Sequence, residues 1–176
     1  YEEAITILES NRDLLKDTNT EENRRKLSRI KLQAAVIRDK QEAARQLKAK
    51  QYLGAIDQLE SIIKTIERSP FRTEQEFLTV VEETEEAIEQ AETEMLLADK
   101  IAYLETNFIE LFTKHYTGSS PESLTEPTVV FEKRLGDKLL FRLQCIEVGR
   151  GRPLRLVMKY THDLKTGTWS FYSGND

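Results

Sequence analysis

Two histidines and one cysteine are the side chains of this chain best suited to nucleophilic, acid–base or metal chemistry. His115 lies on a helical stripe and His162 in a turn, and neither has a second ligand at metal-binding spacing. Cys145 alternates onto an apolar strand face, which favours a buried small hydrophobe over a nucleophile. We therefore predict no metal and no other cofactor. A lone cysteine also excludes an internal disulfide and predicts a reducing intracellular compartment, the cytoplasm or the nucleus.

Paired glutamates and a glycine–arginine segment also resemble catalytic or phosphate-binding groups. Glu82/Glu83 and Glu85/Glu86 lie in a helical pattern, where they form a solvated face and not an acid–base pair. The segment GRGRP at 149–153 lacks the lysine and the hydroxyl residue of a phosphate-binding loop, and it predicts a hairpin turn instead. No convergent polar cluster can be placed, so the sequence predicts a protein that is not an enzyme.

Charge is separated along the chain into two blocks of opposite sign. Residues 24–50 carry ten lysines and arginines against two acidic residues, whereas residues 70–117 carry twelve acidic residues against three basic ones. The basic block could contact the phosphates of a nucleic acid. However, the whole chain has a net charge of −5, and the acidic block can neutralise the basic one within the chain. Nucleic-acid binding through the basic helix 24–50 is therefore an alternative that the charge balance disfavours.

Apolar residues recur at helical spacing over 21–68 and again over 73–116. The first pattern predicts one long helix or two nearly collinear helices. Ser69–Pro70 interrupts it, because the residue before a proline is pushed out of the helical region, and TEQE at 73–76 matches a capping box. Helix 21–68 would then fold back on helix 73–116 as an antiparallel hairpin. We expect a helical region at 1–117 with a break near 69–72.

The hydrophobic period changes from 3.6 to 2 after a linker at 118–124. Four β-rich runs follow, TVVFEKR, KLLFRLQCIEV, PLRLVMKYT and TWSFYS. The short connections between them favour antiparallel hairpins. The predicted fold class is α+β, a long helical hairpin or coiled-coil region followed by a small four-stranded antiparallel meander at 125–176. No run approaches the roughly 18 apolar residues of a membrane span.

Both regions contain side chains that a protein partner could contact. Alanine-rich helical seams bury little area, roughly a third of what leucine would give at about 25 cal/mol/Å². The helices are therefore expected to pair with a helical subunit of the same complex. The arginines of the sheet and its last, edge strand predict a site for an acidic peptide. The predicted partner-binding residues are Ile88, Met95, Phe108 and Phe112 in the helices and Arg142, Arg150, Arg152, Arg155 and Tyr172 in the sheet.

The opening YEEAITILES and the segment YLGAIDQLES at Tyr52 share a frame at an offset of 51 residues. Around the second copy, Ala44, Ala55, Tyr52 and Pro70 resemble a tetratricopeptide-type helical pair, and Lys-x-Tyr-Leu-x-Ala is similar to segments of rod-like subunits of vesicle-tethering complexes. The glycine usual before the tyrosine is absent, and the offset differs from the roughly 34 residues of that repeat. Whether the frame is a true repeat or a shared packing solution stays open.

A long helix that leads into a small antiparallel sheet, with RLGDKLLFRLQCIE across the first turn, resembles the RWD-type heads of kinetochore coiled-coil subunits. The matching pattern is Gly136-Asp137-Lys138-Leu139-x-Phe141, followed by Ile146-Glu147 and Pro153. Such heads normally carry one or two helices after the sheet, and this sequence reaches Asp176 without them. The resemblance implies a subunit that dimerises through its helices and recruits other proteins through its head, without catalytic residues.

The sequence therefore predicts a non-enzymatic scaffold or adaptor subunit of a multiprotein assembly. The helices would mediate oligomerisation, and the β head would dock a partner. A tethering or tetratricopeptide-like adaptor and a nucleic-acid-binding module are the alternatives. Which complex it serves, and whether the helices pair within one chain or between chains, stays open.

Overall fold

The computed structural model describes residue 6 and residues 21–115, 124–125, 127–148 and 153–172. Its helices are α1 (Glu21–Lys48), α2 (Tyr52–Glu67), α3 (Gln75–Thr106) and α4 (Phe108–His115). Its strands are β1 (Thr128–Leu135), β2 (Lys138–Glu147), β3 (Leu154–Asp163) and β4 (Trp169–Tyr172), which form one antiparallel sheet in sequential order. The predicted α+β class, long helices followed by a four-stranded antiparallel meander, is confirmed.

The chain divides into two compact units, Tyr1–Met95 and Leu96–Asp176, and the division falls inside α3. The sequence placed a boundary at the linker 118–124, which lies outside the described residues apart from Leu124. Helical residues after Met95 belong to the second unit because they pack against the sheet. Each unit has an apolar core of its own.

The prediction of one helix or two nearly collinear helices over 21–68 is wrong at residues 49–51. α1 ends at Lys48, and α2 packs back against it. Lys50 makes the reversal in the left-handed region, with φ of 58°. Its N–H donates to Leu47 O at 2.9 Å, and the next N–H, of Gln51, donates to Gln46 O at 2.9 Å. Glycine is the usual residue at this position, so a lysine here gives no stop signal.

The core of the first unit joins α1, α2, the start of α3 and the turn before α3. Its buried members are Leu32, Val36, Ala43, Leu59, Ile62, Ile66, Phe71 and Phe77. α1 and this part of α3 run parallel. The ion pairs show this, since Arg29 pairs with Glu76 and the later residue Lys40 pairs with the later residue Glu83. The predicted antiparallel hairpin of 21–68 with 73–116 is therefore corrected, since α2 makes the return pass. α2 ends and α3 begins on either side of the predicted break near 69–72.

The sheet is buried on one face, here called the packed face. Leu139, Phe141, Leu143 and Cys145 of β2 are buried there, as their alternation predicted. The register places His162, Tyr160, Met158 and Leu156 opposite them on β3. Trp169 and Phe171 of β4 extend two of these rows. The helical residues that pack against this core are Leu96, Leu97, Ile101, Leu104, Phe108, Leu111 and Phe112.

Replacing Phe141 with alanine should strongly destabilise the second unit. Phe141 is fully buried, with ring centroids 5.5 Å from Phe131 and 5.7 Å from Trp169. Truncation of such a phenylalanine costs about 3–5 kcal/mol. Trp169 is the only tryptophan in the sequence, so urea unfolding followed by its fluorescence reports on this unit.

The matched control is Val157→Ala on the opposite face of the same sheet, where the side chain is 39% exposed. This variant should lose only about 0.5 kcal/mol. Equal losses in the two variants would show that Phe141 is not part of a packed core.

Candidate protein-binding face

The face of the sheet opposite the packed face, here called the open face, is rich in basic side chains. Because side chains alternate along a strand, the register assigns each residue to a face. The basic residues on the open face are Lys133, Lys138, Arg142, Arg155 and Lys159. Among the described strand residues, its carboxylates are Glu132 and Asp163. The face is therefore net positive in a chain whose overall charge is −5.

A β-bulge in β1 directs Glu132 toward Arg142. The register shifts between Phe131 and Lys133, so Glu132 is the extra residue. Its Oε1 lies 3.5 Å from Arg142 Nε, where the charges attract but no hydrogen bond forms. Arg142 also stands directly opposite Lys159, and like charges in that position destabilise a sheet. Glu132 offsets part of this repulsion, and an anionic ligand would offset more.

A cavity of about 320 Å³ lies at one end of the open face. It is lined by Thr125, Thr128, Gln144, Cys145, Ile146 and Arg155. Arg155 Nη2 donates a hydrogen bond to Gln144 Oε1 at 2.6 Å. Thr125 is fixed by a reciprocal pair of bonds with Ile146: its N–H donates to Ile146 O at 2.9 Å, and Ile146 N–H donates to Thr125 Oγ1 at 3.0 Å. The cavity is thus built by residues that are held in place.

The predicted sheet residues are only partly placed by the structure. Arg142 and Arg155 lie together on the open face, two rows apart. Arg150 and Arg152 lie outside the described residues, as does the side chain of Tyr172. Of the four predicted arginines, the described residues therefore include the two that lie on strands, Arg142 and Arg155.

The predicted helical residues lie in or beside the cores. Phe112 is fully buried in the core of the second unit, so the prediction that it contacts a partner is wrong. Phe108 packs against the same core and is partly buried. Ile88 is partly buried against the core of the first unit, and Met95 is partly buried as well. Only the exposed fractions of these three side chains can reach another protein.

The sequence reasoning missed Thr125, Thr128, Gln144 and Lys159. Lys159 has the same parity along β3 as Arg155, so strand alternation could have found it. Gln144 has the same parity along β2 as Arg142. Thr125 precedes β1 and no periodic pattern covers it, since its position depends on the bonds to Ile146.

Acidic residues in the first turns of α3 and just before it neutralise part of the basic helix α1. Arg29 pairs with Glu74 at 3.3 Å, and Lys40 pairs with Glu83 at 2.8 Å. Gln33 and Arg29 donate to the two oxygens of Glu76, so this carboxylate bonds to α1 in place of the predicted capping box. These hydrogen bonds, with that of Gln33 the larger cause, hold the pKa of Glu76 below its ordinary value.

Cys145 and His162 are both buried on the packed face. Burial, with a smaller effect of Glu147, raises the pKa of the Cys145 thiol to about 11, so the nucleophilic thiolate is scarce at neutral pH. His162 lies in β3 and not in the predicted turn, with its ring centroid 4.7 Å from that of Trp169. Its Nδ1 has no hydrogen-bond partner in the described part of the chain. Burial and then Lys100 lower the pKa of His162, while Asp163 raises it.

The described ranges contain neither a metal-binding cluster nor a membrane-spanning helix. No group of three or more histidine, cysteine, aspartate or glutamate side chains could hold a metal ion in these ranges. Within the same ranges, none of the helices has the length and apolar character needed to cross a membrane.

Comparison with known proteins gives no match to any family model, curated protein or solved structure. The open face and its cavity must therefore be interpreted from their own chemistry.

Acidification should destabilise the second unit through His162. Its pKa in the folded state is below the ordinary 6.5, so below that pH the unfolded chain binds the proton more readily. The stabilisation is complete above about pH 6.5 and is lost as the pH falls through the folded-state pKa. Urea unfolding followed by Trp169 fluorescence should give a smaller free energy of unfolding at pH 5.5 than at pH 7.5.

The control variant is His162→Phe, which keeps an aromatic ring beside Trp169 and removes the titrating group. Its loss of stability between the two pH values should be smaller than that of the parent chain. An identical pH dependence in both proteins would rule out His162 as the cause.

Proposed function

We propose that this chain is a non-enzymatic interaction subunit of a multiprotein assembly and that the open face of its sheet binds an acidic segment of a partner protein. The observation that supports this proposal is the excess of basic side chains on the sheet face opposite the described apolar core, in a chain with a net charge of −5. Complementary charge of this kind speeds encounter and selects the partner.

Apolar side chains among these cations favour a protein segment over a simple polyanion. Ile146 is 44% exposed and Val157 is 39% exposed, and both lie on the open face. Ile146 stands opposite Arg155, and Val157 is two residues from both Arg155 and Lys159 on β3. A segment that mixes carboxylates with aliphatic residues would satisfy the charges and bury this apolar area, at about 25 cal/mol per Å² buried.

The like-charge pair of Arg142 and Lys159 supports the same proposal. The two cations stand directly opposite each other on β2 and β3. A carboxylate placed beside both would be attracted by both, and it would reduce the repulsion that opposed like charges cause in a sheet.

The helices are proposed to supply the assembly contacts, with a helical subunit of the same complex as partner. Ile88, Met95 and Phe108 are the predicted helical residues that retain exposed surface. The kinetochore-like form of this proposal rests on the RWD-type resemblance. The proposed compartment, the cytoplasm or the nucleus, rests on the lone cysteine of the sequence. One difference from those heads is that α3 and α4, which precede the sheet, pack against it.

A tethering or tetratricopeptide-like adaptor is the second candidate, and the antiparallel pair of α1 and α2 favours it. Ala55 is fully buried in that pair, but Ala43 is buried in place of the predicted Ala44. The copy of the repeat that begins at Tyr1 lies outside the described residues. A nucleic-acid-binding module is the third candidate, and the pairing of Arg29 and Lys40 with α3 weakens it.

Binding of an acidic peptide tests the proposal directly. The probe is a fluorescein-labelled dodecapeptide that alternates Glu with Val, and its comparison peptide carries Gln in place of Glu. Fluorescence anisotropy in 150 mM salt should show tighter binding of the Glu peptide. The double variant Arg142→Gln/Lys159→Gln should weaken its binding about tenfold, or about 1.4 kcal/mol.

The matched control is Lys26→Gln/Lys64→Gln, which removes the same amount of charge from exposed helical positions. Its affinity for the Glu peptide should equal that of the parent chain. If both double variants lose affinity equally, binding is a nonspecific effect of net charge and the proposal fails. A labelled single-stranded DNA dodecamer that binds more tightly than the peptide would favour the nucleic-acid candidate.

A further inference from the structure

We infer that the cavity beside Arg155 is a carboxylate subsite, which takes one aspartate or glutamate side chain of the acidic segment. This inference rests on the proposed function and specifies where one acidic side chain of the partner binds. It places the strongest polar contact of the partner at one end of the open face, where the cavity of about 320 Å³ has room for a single acidic side chain.

Arg155 supplies the charge of the subsite. A guanidinium has five N–H donors in a planar fork, and the described structure uses one Nη2 donor, toward Gln144. The other donors have no partner among the described residues. A carboxylate can accept two parallel N–H bonds from such a fork, and charge-assisted bonds of this kind are roughly twice as strong as neutral ones.

Gln144 is the positioning residue. Its Oε1 accepts the bond from Arg155 at 2.6 Å, which fixes the guanidinium over the cavity. Because the oxygen of the amide is engaged, its NH₂ group is the end available to a ligand, and that end only donates. The hydrogen bond between Arg155 and Gln144 thus orients the guanidinium and leaves the NH₂ group of Gln144 as a second donor beside it.

The remaining polar lining also consists of donors. Thr125 Oγ1 already accepts a bond from Ile146 N–H, so its hydroxyl hydrogen is available to a ligand oxygen. Thr128 stands opposite Gln144 in the register and contributes a second hydroxyl. Among the described residues the lining holds donors and no competing carboxylate, which favours an anion over a cation or a neutral amide.

The charge of the lining decides between a carboxylate and a phosphoryl group. Arg155 is the one formal cation among the described residues that line the cavity, and it matches the single negative charge of a carboxylate. A phosphoryl group carries about −1.5 to −2 charges at neutral pH, so it would be left undercompensated. The apolar wall of Ile146 suits the methylene groups of an aspartate or glutamate side chain.

The subsite can be tested without knowledge of the partner by using N-acetyl-glutamate methylamide as the probe. Amide resonances of Thr125, Thr128, Gln144 and Ile146, and the Nε–H resonance of Arg155, should shift and saturate at millimolar concentrations. The glutamine analogue, N-acetyl-glutamine methylamide, should leave them in place. Two-dimensional ¹⁵N–¹H NMR of the labelled chain measures all five together.

Variants of Arg155 distinguish the effect of its forked hydrogen-bond geometry on binding from the effect of its charge alone. Arg155→Gln should weaken binding of the glutamate probe at least tenfold. Arg155→Lys should weaken it less, because a lysine keeps the charge and loses the fork. Lys64→Gln, at an exposed helical position outside the sheet, should leave the affinity unchanged. Because Arg155 is exposed, the folded state of each variant can be confirmed by Trp169 fluorescence.

The outcomes distinguish the subsite from the proposed function. If the Glu dodecapeptide binds but the small probe shifts none of the five resonances, the subsite is refuted and the acidic-segment proposal stands. If the small probe binds but the dodecapeptide does not, the carboxylate chemistry stands and the peptide as its source is refuted. Inorganic phosphate that binds the same residues more tightly than the glutamate probe would overturn the choice of a carboxylate.

Discussion

The packing of the last part of α3 and of α4 against one face of the sheet is the constraint on which the rest of the second unit depends. Leu104 and Phe112 are fully buried against the rows that contain Phe141 and Tyr160. A single antiparallel sheet that buries one face must leave the other to solvent or to a partner. The strand alternation that fills the core with aromatic residues therefore also gathers Arg142, Arg155 and Lys159 on the opposite side.

Much of this unit could be predicted from the sequence because its strands have a clear period of two. The apolar face of β2 and the core positions of Trp169 and Phe171 follow from parity alone. The helical part was less predictable. A lysine in the left-handed conformation ends α1 without glycine or proline, so the reversal at residues 49–51 leaves no signal, and the missed turn made the predicted pairing of the helices antiparallel.

The candidate site shows a similar limit. Arg142 and Arg155 could be predicted as binding residues because they are charged side chains on strands of a half-buried sheet. Gln144 and Thr128 could not be assigned to a cavity until the register set them opposite one another. Thr125 depends on two backbone-mediated bonds to a residue 21 positions away, which no local pattern encodes. Phe112 was assigned to a surface because periodicity identifies an apolar stripe but not what covers it.

The bulge in β1 has a consequence beyond the charge of the open face. β1 is an edge strand, and its outer side offers backbone groups on which another chain could polymerise. An extra residue bends such an edge and breaks its regular spacing of donors and acceptors, and a lysine at the next position makes stacking of identical edges repulsive. Glu132 and Lys133 thus work against fibre growth by edge-to-edge pairing of β1 between copies of the chain.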